Sequence, residues 1–242
     1  MLPAGTGALN GLAYSLWLPP APQPPASAGI VVLHGAGSCK ESHHDFARAA
    51  VALGLAAICF DQRGHGESGG RLGRDAIDDV VAVAVHLRAA LGDPAAPLAL
   101  RGSSMGGYLA IVAAEPAQAQ AVVAICPASA AALKRGVRAG TLGFDADPEG
   151  LTELFDEHDL HKTVRSLSVP LLLMHAEGDE QVPVEHSREL AAGTRHPSSR
   201  LIAVPGGHHR SIQHDDEMQA VSLRFVAQAL PAGGESRRAC TT

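Results

Sequence analysis

Short apolar runs alternate with longer amphipathic stretches along most of the chain. The apolar runs predict strands at 9–18, 29–33, 55–60, 97–100, 121–126, 169–174 and 200–204. The amphipathic stretches predict helices at 41–53, 75–91, 108–114, 184–192 and 213–230. Runs that are apolar throughout are typical of strands buried on both faces. The alternation therefore predicts an α/β fold, with a mostly parallel central sheet and helices on both of its faces.

Two regions depart from this alternation. Residues 128–168 have mixed polarity, so we predict a short insertion there. The end of the chain, 231–242, consists mainly of small and polar residues and is expected to be disordered. A chain of 242 residues is long enough to bury one core, so we predict a single domain over 1–230 that carries this insertion.

Charge and hydropathy exclude several classes of partner. The net charge is −6, the sequence has no basic stripe, and no apolar run approaches the ~20 residues of a membrane span. We therefore expect neither nucleic acid nor membrane as a partner. The first 18 residues lack the charged and apolar regions of a signal peptide, so we predict a cytoplasmic protein. The oligomeric state stays open.

Cysteines and histidines do not form a metal-binding pattern. The four cysteines are scattered and include no C-x-x-C pair: Cys39, Cys59, Cys126 and Cys240. The 13 histidines include no H-E-x-x-H, and His158 and His161 fit a polar helix start. No phosphate-binding or dinucleotide fingerprint occurs either. We therefore predict no metal and no cofactor.

A candidate nucleophile lies in the segment 102–106, which matches G-x-S-x-G with Ser104 at its centre. The segment falls between a predicted strand and a predicted helix, which is the setting of a nucleophile elbow, a strained turn that exposes the serine hydroxyl. Side chains at Gly102 or Gly106 would collide with the other limb of so tight a turn. The helix N-terminus would also direct backbone N–H groups toward developing negative charge.

A second G-x-S-x-G match occurs at 66–70, with Ser68 at its centre. The preceding strand ends well before it, at residue 60, and glycine-rich polar residues follow. We therefore predict that Ser68 is a loop residue and favour Ser104 as the nucleophile.

Several further segments fall at the ends of predicted strands, and together they carry a family resemblance. They are His34-Gly35-Ala36-Gly37, the segment 61–68, Gly102-Ser103-Ser104-Met105-Gly106, the segment 175–183, and Gly206-Gly207-His208-His209. In this order the chain resembles the α/β-hydrolase superfamily from about residue 9 to residue 230. The resemblance implies the α/β-hydrolase fold with a small helical cap at 128–168, and a catalytic triad in the order Ser, acid, His.

The resemblance places the acid of the triad at Asp179, which follows a predicted strand; Glu177 and Glu180 are close enough in sequence to be alternatives. The base is either His209 or His208, and the G-x-x-H spacing from Gly206 favours His209. Two other histidines are less suitable, because His175 is expected to end a strand and bond locally, and His214 to lie on the following helix.

An oxyanion hole should accompany the triad. One donor is the backbone N–H of Met105, the residue after the nucleophile, and the resemblance implies that Ala36 supplies the other. Asp61 and His65 belong to a loop that is structural in similar hydrolases. His34 is expected to order the oxyanion loop and not to react.

These residues predict hydrolysis of a small-molecule carboxylic ester through an acyl-enzyme on Ser104. The short insertion favours short-acyl or small aromatic esters. Small bacterial esterases and prolyl-oligopeptidase-like hydrolases are similar in this arrangement, and so are dienelactone hydrolases, although the latter typically carry Cys at the position of Ser104. A thioesterase, an acyltransferase or a peptidase would use the same residues, and an inactive binding module is the alternative from another class.

Overall fold

An eight-stranded sheet runs through the protein, for which a computed structural model describes residues 1–231. The strands are β1 (Gly5–Leu9), β2 (Leu12–Trp17), β3 (Gly29–Leu33), β4 (Ala56–Phe60), β5 (Leu98–Ser103), β6 (Ala121–Ile125), β7 (Leu171–Ala176) and β8 (Arg200–Val204). Their order in the sheet is β1-β2-β4-β3-β5-β6-β7-β8. The β1–β2 and β2–β4 pairs are antiparallel and all other pairs are parallel. The predicted mostly parallel sheet is confirmed. The predicted tail lies outside the described residues from position 232 onward, as does Cys240.

Helices cover both faces of the sheet. Within residues 1–231, the α-helices outside the insertion are α1 (His44–Ala52), α2 (Ala76–Ala90), α3 (Met105–Val112), α7 (Val184–Gly193), α8 (Ser211–His214) and α9 (Asp216–Ala229). Alternate residues of β3 enter opposite layers, with Val31 and Leu33 packing in the layer of α2 and α3, and Ile30 and Val32 in the layer of α1 and α9. Among residues 1–231, no helix combines the length and the apolar character needed to cross a membrane.

The N-terminal segment differs from the single strand predicted at 9–18. It forms a hairpin, because Asn10 and Gly11 turn the chain with φ values of 51° and 83°. An Asn-Gly pair favours such a two-residue turn, since both central residues need positive φ. The hairpin supplies the two antiparallel strands at one edge of the sheet.

The insertion between β6 and β7 contains three helices, α4 (Ala130–Ala139), α5 (Pro148–Glu157) and α6 (Leu160–Ser166). Each buries an apolar face, exemplified by Leu133 on α4, Leu154 on α5 and Val164 on α6. The polarity of 128–168 looked irregular in the sequence because short amphipathic helices with frequent polar residues follow one another there.

The predicted helix at 213–230 is divided into α8 and α9. Asp215 separates them in an extended conformation (φ −74°, ψ 122°), and its carboxylate accepts the Met218 N–H at 2.9 Å. This is an N-cap, which satisfies a free donor at the start of α9. The short helix α8 follows the loop 205–210, which connects it to β8.

Candidate active site

Ser104 occupies a sharp turn between β5 and α3. Its backbone has φ 53° and ψ −118°, a left-handed conformation that is strained for a residue with a side chain. Surrounding hydrogen bonds hold this strain: the Ser104 N–H donates to the Ile125 carbonyl at 2.9 Å, and the Ser104 carbonyl accepts from Tyr108 at 3.0 Å and Ala128 at 3.1 Å. The turn is therefore fixed by β6 and α3 and does not depend on the serine side chain.

Glycines make this turn possible for two different reasons. A side chain on Gly102 would collide with the Gly106 carbonyl, which is the other limb of the turn, as the sequence predicts. A side chain on Gly106 would instead collide with the carbonyl groups of Leu33 and His34, at the end of β3. The second glycine therefore allows α3 to approach β3, a role that the local sequence pattern does not reveal.

Ser68, the second G-x-S-x-G serine, lies in a loop. Its hydroxyl donates to the Asp61 carbonyl at 2.6 Å and accepts the Ala13 N–H at 2.8 Å. Both bonds connect the loop to neighbouring backbone. The Ser68 hydroxyl thus has a structural use.

Asp179 and His209 lie together beyond the carboxyl ends of the strands. The His209 Nδ1 atom donates to the Asp179 Oδ2 atom at 2.7 Å, and the two side chains are 8 % and 0 % exposed. His208 is exposed, and its Nδ1 atom accepts the Arg210 N–H at 3.2 Å. Of the two adjacent histidines, the one that reaches the acid is His209.

The Asp179 carboxylate is stabilised in its ionised form. Burial alone would raise its pKa, but hydrogen bonds from His175 and His209 and from the N–H groups of Val182 and Gln181 hold the pKa well below its usual range. The two N–H bonds measure 2.9 Å and 2.8 Å. An acceptor of this kind fixes the Nδ1–H tautomer of His209 and leaves Nε2 free to take a proton.

His175 contacts the same carboxylate, a relationship that the sequence does not predict. Its Nε2 atom lies 3.3 Å from Asp179 Oδ2 and 2.9 Å from the Val182 carbonyl oxygen, so Nε2 faces two acceptors and carries the hydrogen. Its Nδ1 atom lies 2.7 Å from the Ser187 hydroxyl, which donates to it. The one local sequence feature that could have indicated this contact is the four-residue spacing of His175 and Asp179 across the end of β7.

The alternative acids and His214 lie apart from the His209 ring. Glu177 forms an exposed salt bridge with an arginine of α7. Glu180 accepts the backbone N–H of His209 at 3.1 Å and does not contact its ring. His214 lies on α8, with its Nδ1 atom 3.1 Å from Asp45 Oδ2. None of these three side chains forms a hydrogen bond with the Asp179 carboxylate or the His209 ring.

The loop after β3 lies directly against Ser104. A Cβ atom on Gly35 would be 3.3 Å from the Ser104 Cβ atom, which shows how closely the loop approaches. The backbone N–H groups of Ala36 and Met105, the two predicted oxyanion donors, have no protein acceptor in the part of the chain that the structure describes. They are therefore available to an external oxygen atom.

His34 holds this loop in place. Its Nδ1 atom donates to the Gly35 carbonyl at 2.8 Å, and its Nε2 atom accepts the Gln62 N–H at 3.0 Å. Burial lowers the pKa of His34 from 6.5 to about 4, so the ring stays neutral near pH 7. A protonated ring would direct an N–H at the Gln62 N–H, which explains why the fold favours the neutral form.

Asp61 and His65 support the neighbouring loop. The Asp61 carboxylate is fully buried and accepts the backbone N–H groups of Lys40 at 2.7 Å and Glu67 at 2.9 Å. The His65 ring stacks on Phe144, with 4.2 Å between ring centroids. Neither side chain lines the cavity that contains Ser104.

Ser104 and His209 line one cavity of about 440 Å³. Gly35 and Ala36 border it beside the serine, and residues of α4 line it as well. The other apolar residues that line it are Ala128, Ala132, Leu133, Ala139, Leu142 and Val182. A cavity of this size accommodates a small molecule.

Two groups of side chains within residues 1–231 bring metal-ligating atoms within 4.8 Å of one another. The first group is Cys126, His175 and Asp179, and the second is His161, His186 and Glu189. In the first group the His175 and Asp179 atoms are already engaged in the hydrogen bonds described above. The second group lies on α6 and α7, and its two histidines line a cleft other than the one that contains Ser104.

Comparisons with known proteins agree with this architecture. A family model described as serine aminopeptidase, S33, matches residues 24–143. A monoacylglycerol lipase of Mycolicibacterium smegmatis is 26% identical over 262 residues, covering 88% of this chain and 91% of that protein. The crystal structure of the Paleococcus ferrophilus monoacylglycerol lipase superposes with a TM-score of 0.70 at 20% identity, covering 90% of this chain and 99% of that one.

A third similar protein is Est1E from Butyrivibrio proteoclasticus, whose structure with ferulic acid bound gives a TM-score of 0.71 at 22% identity. That match covers 93% of this chain and 97% of the other. The sheet order, the strained serine turn and these comparisons lead to one conclusion. The chain has the α/β-hydrolase fold, and its predicted resemblance to serine hydrolases of the α/β-hydrolase superfamily, esterases and lipases among them, is confirmed.

Proposed function

We propose that this protein is a serine carboxylesterase that hydrolyses small carboxylic esters through an acyl-enzyme on Ser104. The observation that carries the proposal is the 2.7 Å hydrogen bond between His209 and Asp179, with the His209 ring lining the same cavity as Ser104. A serine hydroxyl is a weak nucleophile unless a base removes its proton. The paired imidazole is such a base.

In the proposed mechanism, His209 Nε2 takes the Ser104 hydroxyl proton as the oxygen attacks the ester carbonyl carbon. The carbonyl oxygen becomes an oxyanion and accepts the N–H groups of Ala36 and Met105. Removing one donor of this type typically costs about 2.7–4 kcal/mol of transition-state stabilisation. His209 then gives its proton to the departing alcohol, leaving the acyl group on Ser104.

Deacylation repeats these steps with water as the nucleophile. His209 takes a proton from water, the new hydroxyl attacks the acyl carbon, and Ser104 regains its proton as the acid leaves. Asp179 keeps the imidazole in the productive tautomer and stabilises the imidazolium that forms in each half-reaction. Its strongly lowered pKa supports this role, because the carboxylate stays charged throughout.

We further propose that α4, α5 and α6 form a small cap on a single hydrolase domain that spans 1–230. Ala132, Leu133 and Ala139 of α4 line the cavity, which ties this helix to substrate binding. The modest volume favours short acyl groups. Phe144 and Phe155 do not line the cavity. The Phe155 ring instead packs edge-on against Tyr108, with 5.3 Å between the ring centroids.

The matched family model suggests peptide hydrolysis as a second candidate function. An aminopeptidase must bind the free ammonium group of its substrate, for which a carboxylate is the suitable partner. Among the residues that the structure describes, the cavity lining contains Arg135 and Arg210 and no Asp or Glu side chain. This charge distribution favours an ester over an aminopeptidase substrate. Thioester hydrolysis and acyl transfer would use the same residues with a different leaving group or acceptor.

The test is turnover of 4-nitrophenyl butyrate by Ser104→Ala, with Ser68→Ala as the matched control. Loss of the Ser104 hydroxyl should abolish turnover while circular dichroism and Tm stay close to wild type. Ser68→Ala should retain turnover and lose stability, because it removes two hydrogen bonds to backbone groups. Persistent activity in Ser104→Ala would disprove the proposal.

A further inference from the structure

The cavity that contains Ser104 is positively charged in a protein of negative net charge. The whole chain has a formal charge of −6. The cavity lining nevertheless includes two guanidinium groups, from Arg135 on α4 and Arg210 beside His209, and no carboxylate from any residue between 1 and 231. The local charge is therefore opposite in sign to that of the whole molecule.

Arg135 and Arg210 differ from other arginines of the protein in their lack of salt bridges to carboxylates within residues 1–231. Arg63, Arg74 and Arg188 each pair with carboxylates of the protein at 2.7–2.8 Å. Within residues 1–231, Arg135 and Arg210 have no carboxylate oxygen within 4.0 Å. Their charges are available to a ligand.

Neighbouring acids do not cancel this charge. The Asp179 side chain is fully buried and engaged with His209. Glu180 is exposed, accepts the His209 N–H, and does not line the cavity. Lys134, the neighbouring cation on α4, forms a salt bridge with Asp156 and lines a separate cleft, so it adds no charge to the lining of this cavity. The positive charge at the cavity thus comes from Arg135 and Arg210.

We propose that the natural substrate is an ester that also carries a carboxylate or phosphate group, which Arg135 and Arg210 bind while Ser104 attacks the ester carbonyl. A guanidinium group matches both of these anions through parallel N–H donors. A positive cleft also concentrates anionic substrates against the repulsion of the rest of the protein. This inference rests on the esterase function proposed above.

The experiment compares anionic esters with neutral partners of similar size. In the first arm the anion is a carboxylate on the acyl group: the mono-4-nitrophenyl ester of adipic acid against that of adipamic acid. In the second arm it is a phosphate on the alcohol: 1-butyrylglycerol 3-phosphate against 1-butyrylglycerol. We expect kcat/KM to favour the anionic ester at least about tenfold in one arm, a factor that corresponds to about 1.4 kcal/mol.

Variants assign the effect to these side chains. Arg135→Gln and Arg210→Gln should each bring the anionic-to-neutral ratio of kcat/KM toward one. Arg138→Gln should keep the wild-type ratio, because Arg138 lines only the separate cleft of these two, whereas Arg135 borders both. The wild-type ratio should also fall between about 0.02 M and 0.5 M NaCl, because salt screens exposed charges.

The outcomes of this experiment distinguish failure of the anionic-substrate inference from failure of the proposed esterase function. Hydrolysis of all four esters with ratios near one in both arms would overturn the anionic substrate and leave the esterase function standing. A preference that survives in both arginine variants would overturn the assignment to Arg135 and Arg210. Folded wild-type protein that hydrolyses none of the esters would refute the esterase function and this inference together.

Discussion

The Nε2 atom of His175 lies 3.3 Å from the Oδ2 atom of Asp179, the same oxygen that accepts the His209 Nδ1–H at 2.7 Å. One carboxylate oxygen is therefore held between two imidazole rings. His175 is itself oriented by Ser187, which donates to its Nδ1 atom. This arrangement makes His175 a positioning residue for the acid of the proposed triad.

The first prediction concerns this residue. His175→Gln should lower kcat for 4-nitrophenyl butyrate about 10- to 100-fold and leave KM within about threefold, because a small displacement of catalytic groups slows chemistry without changing substrate contacts. In an Asp179→Asn background the same substitution should cost little, since the two residues act through one contact. His186→Gln, which changes a half-buried histidine of α7 that does not contact Asp179, is the control. Losses that simply multiply would argue against a positioning role.

The second prediction distinguishes the two adjacent histidines. His209→Asn should remove nearly all turnover, because no other imidazole in the described part of the chain both lines the Ser104 cavity and bonds Asp179. His208→Asn should keep kcat within a few-fold of wild type, since its side chain is exposed. Steady-state kinetics on both variants test which histidine is the base. Loss of turnover in His208→Asn with turnover retained in His209→Asn would assign the base to His208.

The third prediction concerns the serine turn. Gly102→Ala should lower the free energy of unfolding by at least about 2 kcal/mol and abolish turnover, because the new methyl group meets the Gly106 carbonyl. Gly69→Ala is the matched control, since a Cβ atom there meets nothing within 4 Å. Urea unfolding measures both. Equal stability of the two variants would contradict the packing argument.

The fourth prediction concerns pH. His34 has a pKa of about 4 in the folded protein, below the ordinary histidine value of 6.5, so between these pH values the unfolded chain binds up to one more proton at this site. The free energy of unfolding should therefore fall as pH drops from 6.5 to 4, with His34 contributing at most about 1.4 kcal/mol per pH unit. Burial also lowers the pKa of His43 and His65, which adds to the same slope.

Urea unfolding at several pH values across this range measures the slope. His34→Gln should be less stable near pH 7 but should show a shallower dependence, because the substitution removes one of the groups that must stay neutral. If His34→Gln and wild type show the same dependence of unfolding free energy on pH, His34 takes up its proton equally in the folded and the unfolded protein, which would contradict the prediction.

Fully buried strands were the most predictable part of the fold. The runs at 29–33 and 121–126 are apolar throughout because both faces are covered, and strands occur there as predicted. The hairpin was missed because apolar residues lie on both sides of Asn10 and Gly11 and were assigned to one strand. This dipeptide is nevertheless a strong turn signal. The division at Asp215 was missed because its N-cap role depends on an extended backbone within an otherwise helical pattern.

The candidate site was predictable where it is local in sequence. The strained serine turn and the loop acid follow recognisable short patterns, and the spacing from Gly206 favoured His209. The contacts of His175, the approach of Gly106 to β3 and the charge of the cavity depend on which elements become neighbours in the sheet. These long-range relationships leave little trace in a local pattern.

The central claim, that Ser104 is an activated nucleophile, is tested most directly by fluorophosphonate labelling followed by mass spectrometry of the digested protein. The account predicts one modified serine, Ser104, with labelling greatly slowed in His209→Asn. An unmodified protein, as expected of an inactive binding module, or a label on Ser68 or Ser103, would contradict it.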